Sequence, residues 1–136
     1  MARIILISCS KQKLAYTAPA SELYASPLFK LSLALAQKLK PDAIYVLSAL
    51  HGLVPLDRAL SPYDLTLSAM ATSARKSWAE SVLSQLNAVS DPENDTYVFL
   101  AGTAYAEGLA PHLKHYELPL QGLGLGKRLA FLKTRI

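Results

Sequence analysis

Three apolar runs, Arg3–Ser8, Ala43–Ser48 and Thr96–Ala101, limit the folds open to this chain more than any other feature. Each is nearly continuous in Ile, Leu, Val, Tyr and Phe, where a half-exposed strand would alternate. Such runs suit strands covered on both faces. A weaker fourth run spans Tyr116–Leu120. Helical patterns lie between the runs. Ser26-Pro27 reads as a cap with proline at the first helical position, Leu28, Leu31, Leu35 and Leu39 form a stripe, and Pro41 stops it. Further helices are expected over about Ser68 to Asn87, over Ala104 to about His112 with a break near Pro111, and over Lys127 to Arg135. The resulting β-α-β-α-β-α-β-α order predicts an α/β fold: a mostly parallel sheet of about four strands with helices on both faces.

No repeat, low-complexity tract or linker divides the chain, and the hydrophilic Ser90–Asp95 stretch has the length of an ordinary connection. One domain over residues 1–136 follows, long enough to bury a hydrophobic core. An apolar fraction of 51% argues against global disorder. The apolar stretches fall well short of the ~20 residues a membrane span needs. The short run Ile4–Ile7 is followed at once by Lys11 and Lys13, which fits a strand better than a secretory leader. The lone Cys9 forms no internal disulfide and suits a reducing compartment. A cytoplasmic protein without a membrane partner is expected. The net charge of +4 permits a polyanionic partner without requiring one.

In open parallel sheets, ligands gather beyond the carboxyl ends of the strands, where loops and helix N-termini converge. Ser8, Cys9, Ser10, Lys11, Gln12 and Lys13 follow the first run, and Ser48, His51 and Gly52 follow the second. Gly102, Thr103 and Tyr105 follow the third, and Gln121, Gly122, Gly124, Gly126, Lys127 and Arg128 the fourth. The Ser8–Lys13 loop offers hydroxyls, backbone N–H groups and two cations to a phosphate or carboxylate. It lacks the glycine spacing of a P-loop. Cys9 reads as a nucleophile beside Lys11 or as a small filler at a strand end, and the filler is the commoner case.

Glycines in Gly122–Gly126 let backbone approach an anion, and a helix starting near Lys127 adds its positive end. The stretch Gly124-Leu125-Gly126-Lys127-Arg128-Leu129-Ala130 resembles the hairpin of helix-hairpin-helix DNA-binding motifs, although Glu117-Leu118-Pro119 does not supply a first helix. Between Leu47 and Leu67, a glycine turn and two prolines build a rigid hook around His51, Tyr63 and Asp64. His51 titrates in the range of acid–base chemistry, or serves as a turn residue. His112 and His115 show no metal-ligand pattern, and no metal or cofactor is expected.

The Ile4–Ser8 start followed by Lys11, with the Leu47-Ser48 to Pro62-Tyr63 segment, resembles the YaaA family of peroxide-stress proteins over about a third of the chain. Ala49 and His51 stand where that family has glycine and tyrosine. The chain is also similar, over nearly its whole length, to a smaller bacterial and phage domain family of unknown function. The shared residues are Tyr24-x-Ser26-Pro27-Leu28-Phe29, Ser48, His51-Gly52-Leu53 and Pro62-Tyr63-Asp64. The YaaA resemblance implies DNA binding through a basic cleft and protection from oxidative damage, with Ser8, Lys11, Ser48, Gly52, Pro62 and Tyr63 as the matched positions.

Two main readings of the same residues follow. One is an enzyme handling nucleic acid or a nucleotide, acting on a nucleobase or its glycosidic bond. There His51 and Asp64 move protons, Lys11, Lys13, Lys127 and Arg128 hold phosphates, and Tyr63 or Tyr105 stacks a base. The other is a non-catalytic DNA-binding module. An enzyme for a small phosphorylated metabolite is the third.

Overall fold

A computed structural model describes residues 1–136. The three apolar runs form its central strands, β1 (Arg3–Ser8), β3 (Ala43–Ser48) and β6 (Thr96–Leu100). A two-residue strand, β2 (Ala18–Pro19), and a single helical turn, α1 (Ala20–Leu23), follow β1. Helix α2 covers Pro27–Lys38, β4 covers Gly52–Pro55 and β5 covers Ala59–Leu60. The remaining elements are α3 (Thr72–Val89), α4 (Thr103–Glu107), β7 (His115–Glu117) and α5 (Leu125–Arg135). β1 is parallel to both β3 and β6, pairing Ile5 with Ile44 on one side and with Val98 on the other. The sheet order is β4-β3-β1-β6-β7, all parallel except β4, which turns back antiparallel on β3. β2 and β5 form a separate antiparallel pair.

Alternate residues of the central strands face opposite layers, which is why both faces had to be apolar. Ile4, Leu6, Leu47, Tyr97 and Phe99 pack with Trp78, Ala79, Val82 and Leu86 of α3 and with Tyr105 and Ala106 of α4. Ile5, Ile7, Val46, Val98 and Leu100 pack with Phe29, Leu35 and Ala36 of α2 and with Leu132 of α5. The fold is therefore α/β with helices on both faces. No helix is long and apolar enough to cross a membrane.

Several element bounds differ from the sequence expectation. The cap holds: Ser26 Oγ accepts from Phe29 N at 3.1 Å with Pro27 at the first helical position, and α2 ends before Pro41. The fourth strand is shorter and earlier than Tyr116–Leu120, because Pro119 has no N–H to donate to a ladder. The third helix starts at Thr72 rather than Ser68. A 3-10 turn, Leu67–Ala69, precedes it, and Tyr105 holds that turn in place by accepting from Leu67 N while Leu67 itself is buried. The hook after Ser48 contains a strand: Leu53 and Val54 pair with Leu47 and Val46.

Candidate functional site

Following the chain from β1 to β3 moves outward on one side of the sheet, and β6 then starts again on the other side. The carboxyl ends of β1 and β6 thus flank the switch point of a doubly wound sheet, where the backbone splays apart and leaves a crevice. A cavity of about 130 Å³ lies there, lined by residues that include Ser8, Cys9, Ser10, Ser26, Ser32, Gly102 and Arg128. Three strand-end loops and the N-terminus of α2 meet at this point.

The polar groups of this crevice are differently engaged. Ser8 Oγ accepts from Gly102 N at 3.2 Å, tying the two strand ends together and leaving its own proton free. Ser26 Oγ caps α2 and likewise keeps its proton, whereas Ser10 spends its proton on Gln12 O at 2.8 Å. Ser32 projects from the second turn of α2, is 1% exposed and has no hydrogen-bond partner. Every fully enclosed side-chain N or O atom does have one, so the Ser32 hydroxyl opens onto the cavity. Arg128 reaches the crevice from α5. Its Nε donates to Leu123 O at 2.8 Å, which fixes the guanidinium plane, and it forms no ion pair.

A second cluster adjoins the first, at the end of β3. Ser48 is fully buried, and its Oγ lies 2.6 Å from Tyr63 Oη, which in turn lies 2.7 Å from Tyr24 Oη. His51 N donates to Ser48 Oγ at 3.0 Å, and Trp78 Nε1 donates to Ser48 O at 2.8 Å. Lys13 Nζ stands 4.4 Å from the centre of the Tyr63 ring, and the His51 ring meets Tyr63 edge-on at 5.5 Å. Cys9 stands between the two clusters: it lines the crevice, its N donates to Leu47 O at 3.0 Å beside Ser48, and its Sγ is 3.2 Å from the Oη of Tyr105, whose ring packs on Trp78.

Burial governs the protonation of this cluster. It raises the Tyr63 hydroxyl far above the ordinary tyrosine range, with Cys9 adding to the effect, and it raises Tyr24 and Tyr105 as well. The hydroxyl chain therefore stays neutral and works by donating and accepting. Burial also lowers Lys13, opposed by Cys9 and Asp64. His51 falls below 6.5, first through burial and then through the Arg58 charge, which favours the neutral imidazole near pH 7.

The structure brings Ser8, Ser10, Gly102 and Arg128 to one crevice, and Lys13, Ser48, His51 and Tyr63 to the adjoining cluster. Asp64 is exposed, within electrostatic reach of Lys13. Tyr105 is 8% exposed and packs edge-on against Trp78, so its ring belongs to the core. Gly52 holds a turn at φ +73°, and a side chain there would strike the Gln85 carboxamide that accepts from Leu53 N. Gly124 caps α5 and Gly126 lies in its first turn, both with open space around them; Lys11 and Lys127 are exposed. Directly upstream of this turn stand β7 and an irregular segment, so the two-helix frame of a helix-hairpin-helix is absent. Sequence reasoning passed over Tyr24, Ser26 and Ser32 as site residues. Ser32 was detectable, as a polar residue inside the Leu28–Leu35 stripe. No curated protein matches the sequence. A family model described as a family of unknown function, DUF6884, matches residues 4–134, and the chain belongs to that family.

Proposed function

We propose that this protein is an enzyme that handles a nucleotide or nucleic acid and holds a phosphate group in the crevice between β1 and β6. The observation that carries the reading is the buried, unpartnered Ser32 hydroxyl facing a cavity that also holds the unpaired Arg128 guanidinium. Free hydroxyl protons on Ser8 and Ser26 add donors, and the N-terminus of α2 adds a favourable field. An unpaired guanidinium beside hydroxyl donors recognises tetrahedral oxyanions well. The neutral His51, with Asp64 and the Ser48–Tyr63–Tyr24 hydroxyls nearby, supplies proton transfer next to the bound group. Action on a nucleobase or its glycosidic bond is the reaction class this arrangement suits. The YaaA resemblance of Ile4–Ser8, Lys11 and the Leu47–Tyr63 segment points toward nucleic acid as well.

A specific feature favours the non-catalytic module as a second reading. Helices α2 and α5 pack side by side and carry Lys30, Lys38, Lys127, Arg128, Lys133 and Arg135 with no acidic residue between them. The two long helices of this face carry only cationic charges, as a surface that follows a phosphate backbone would.

Calorimetric titration with inorganic phosphate and nucleotides, beside anisotropy with labelled oligonucleotides at low salt, tests both readings. Binding that weakens at least tenfold in Arg128→Gln and in Ser32→Ala supports the crevice. Turnover lost in His51→Ala with binding retained marks the enzyme, whereas binding without any turnover leaves the module. If no phosphate compound and no oligonucleotide binds at low salt, both readings fall.

A further inference from the structure

A second pocket, of about 220 Å³, opens beside the crevice at the carboxyl ends of β6 and β7. Its walls are mainly Phe99, Ala101, Ala106, Ala110, Tyr116 and Leu118. Thr103, Glu107, Gln121 and Arg128 stand among the apolar groups, and none of the Thr103 hydroxyl, the Glu107 carboxylate and the Gln121 carboxamide has a hydrogen-bond partner in the protein. Ala101 and Arg128 line both cavities. The two hollows therefore meet over the end of β6, with the Arg128 side chain between them.

Small and flat walls, one exposed aromatic ring and a few unpaired hydrogen-bonding groups describe a site for a planar heterocycle. Tyr116 is 44% exposed although it sits in a strand register opposite Tyr97. By contrast, Lys13 lies over the Tyr63 ring and His51 abuts it, while Tyr105 is buried. Tyr116 is thus the tyrosine near the crevice whose ring is open to stack a base.

We infer that this pocket binds the nucleobase of a ligand whose phosphate occupies the Arg128 crevice, with Tyr116 stacking the ring and Thr103 and Gln121 meeting its polar edge. The inference rests on the phosphate reading for the placement of the ligand, but the ring pocket is testable by itself. It places the base on the β7 side of Arg128 and leaves the His51–Tyr63 cluster at the phosphate end of the ligand, so it replaces action of His51 and Asp64 on the base or its glycosidic bond with proton transfer at that end.

Four probes separate the possibilities: inorganic phosphate, ribose 5-phosphate, nucleoside 5′-monophosphates and unphosphorylated nucleosides, each titrated calorimetrically against the full chain. Monophosphates of at least one base are expected to bind tenfold or more tighter than ribose 5-phosphate, in keeping with the worth of base stacking. Tyr116→Ala should abolish that advantage while leaving ribose 5-phosphate affinity within twofold. Gln121→Ala, at an exposed position, should change the ranking of the bases. Ribose 5-phosphate matching the monophosphates would overturn the ring pocket and leave the phosphate crevice standing. Nucleosides that bind and respond to Tyr116→Ala, with no phosphate compound gaining over them, would keep the pocket and remove the crevice. Binding insensitive to Tyr116→Ala, or no binding by any probe, overturns the inference.

Discussion

Tyr63 is the middle of a three-hydroxyl chain, and its position sets what each substitution there costs. Tyr63→Phe removes two hydrogen bonds and leaves the buried Ser48 and Tyr24 hydroxyls short of a partner. A loss of about 1–3 kcal/mol in urea denaturation is expected, from the penalty on stranded buried groups. Tyr24→Phe removes only the terminal bond and should cost less; equal losses would contradict the chain as drawn. His51 makes the second prediction at this scale. Its imidazole should titrate below 6.5 when followed by NMR, because burial and Arg58 both disfavour the cation. Arg58→Gln should move the midpoint upward yet leave it below 6.5, since burial is the larger cause. In the proposed reaction, the acid limb of the rate profile would follow the same midpoint. Individual residues were unevenly legible in the sequence. Ser26-Pro27 announced its cap through local chemistry alone. Tyr24 gave no local sign, because its partner Tyr63 stands 39 residues away and only folding joins them.

Elements read well where their burial is two-sided. β1 and β3 have the expected bounds because every residue between their ends must be apolar. β4 did not read as a strand: four residues ending in proline carry too little pattern, and the pairing that stabilises it comes from β3. The start of β1 offers a test of how elements are tied together. Asp95, just before β6, accepts from Asp91 N at 2.8 Å and from Ala2 N at 2.7 Å, so one carboxylate joins the α3–β6 turn to the first strand. Those two bonds lower its pKa from 3.8. A depressed folded value means that the stabilisation is full above the unfolded pKa and disappears as pH falls through the folded one. Thermal melts from pH 7 downward should show a drop in Tm beginning near the ordinary carboxylate range. Asp95→Asn should start from a lower Tm at pH 7 and flatten that part of the curve.

At the scale of the whole molecule, charge is sorted by helix. Helices α2 and α5 carry only cationic charges, whereas α3 carries Arg75 and Lys76 with Glu80. If the proposed polymer contacts use α2 and α5, the slope of log affinity against log salt should shrink by roughly 0.7–0.9 for each phosphate contact removed. Lys30→Gln with Lys133→Gln tests this by anisotropy, and an unchanged slope would place the polymer elsewhere. Composition gave the net charge but could not assign it to a face, because α2 and α5 are separated in sequence by most of the chain. The two margins of the sheet carry a different consequence. β7 has three residues, all exposed, and is followed by Pro119; β4 has four and ends at Pro55. Margins this short offer an incoming chain only a few open amide and carbonyl groups, flanked by residues that cannot extend a ladder. The molecule terminates its own hydrogen-bond lattice, so its concentrated solutions should resist strand-to-strand stacking into fibres even though the centre of its sheet is among the most apolar parts of the chain.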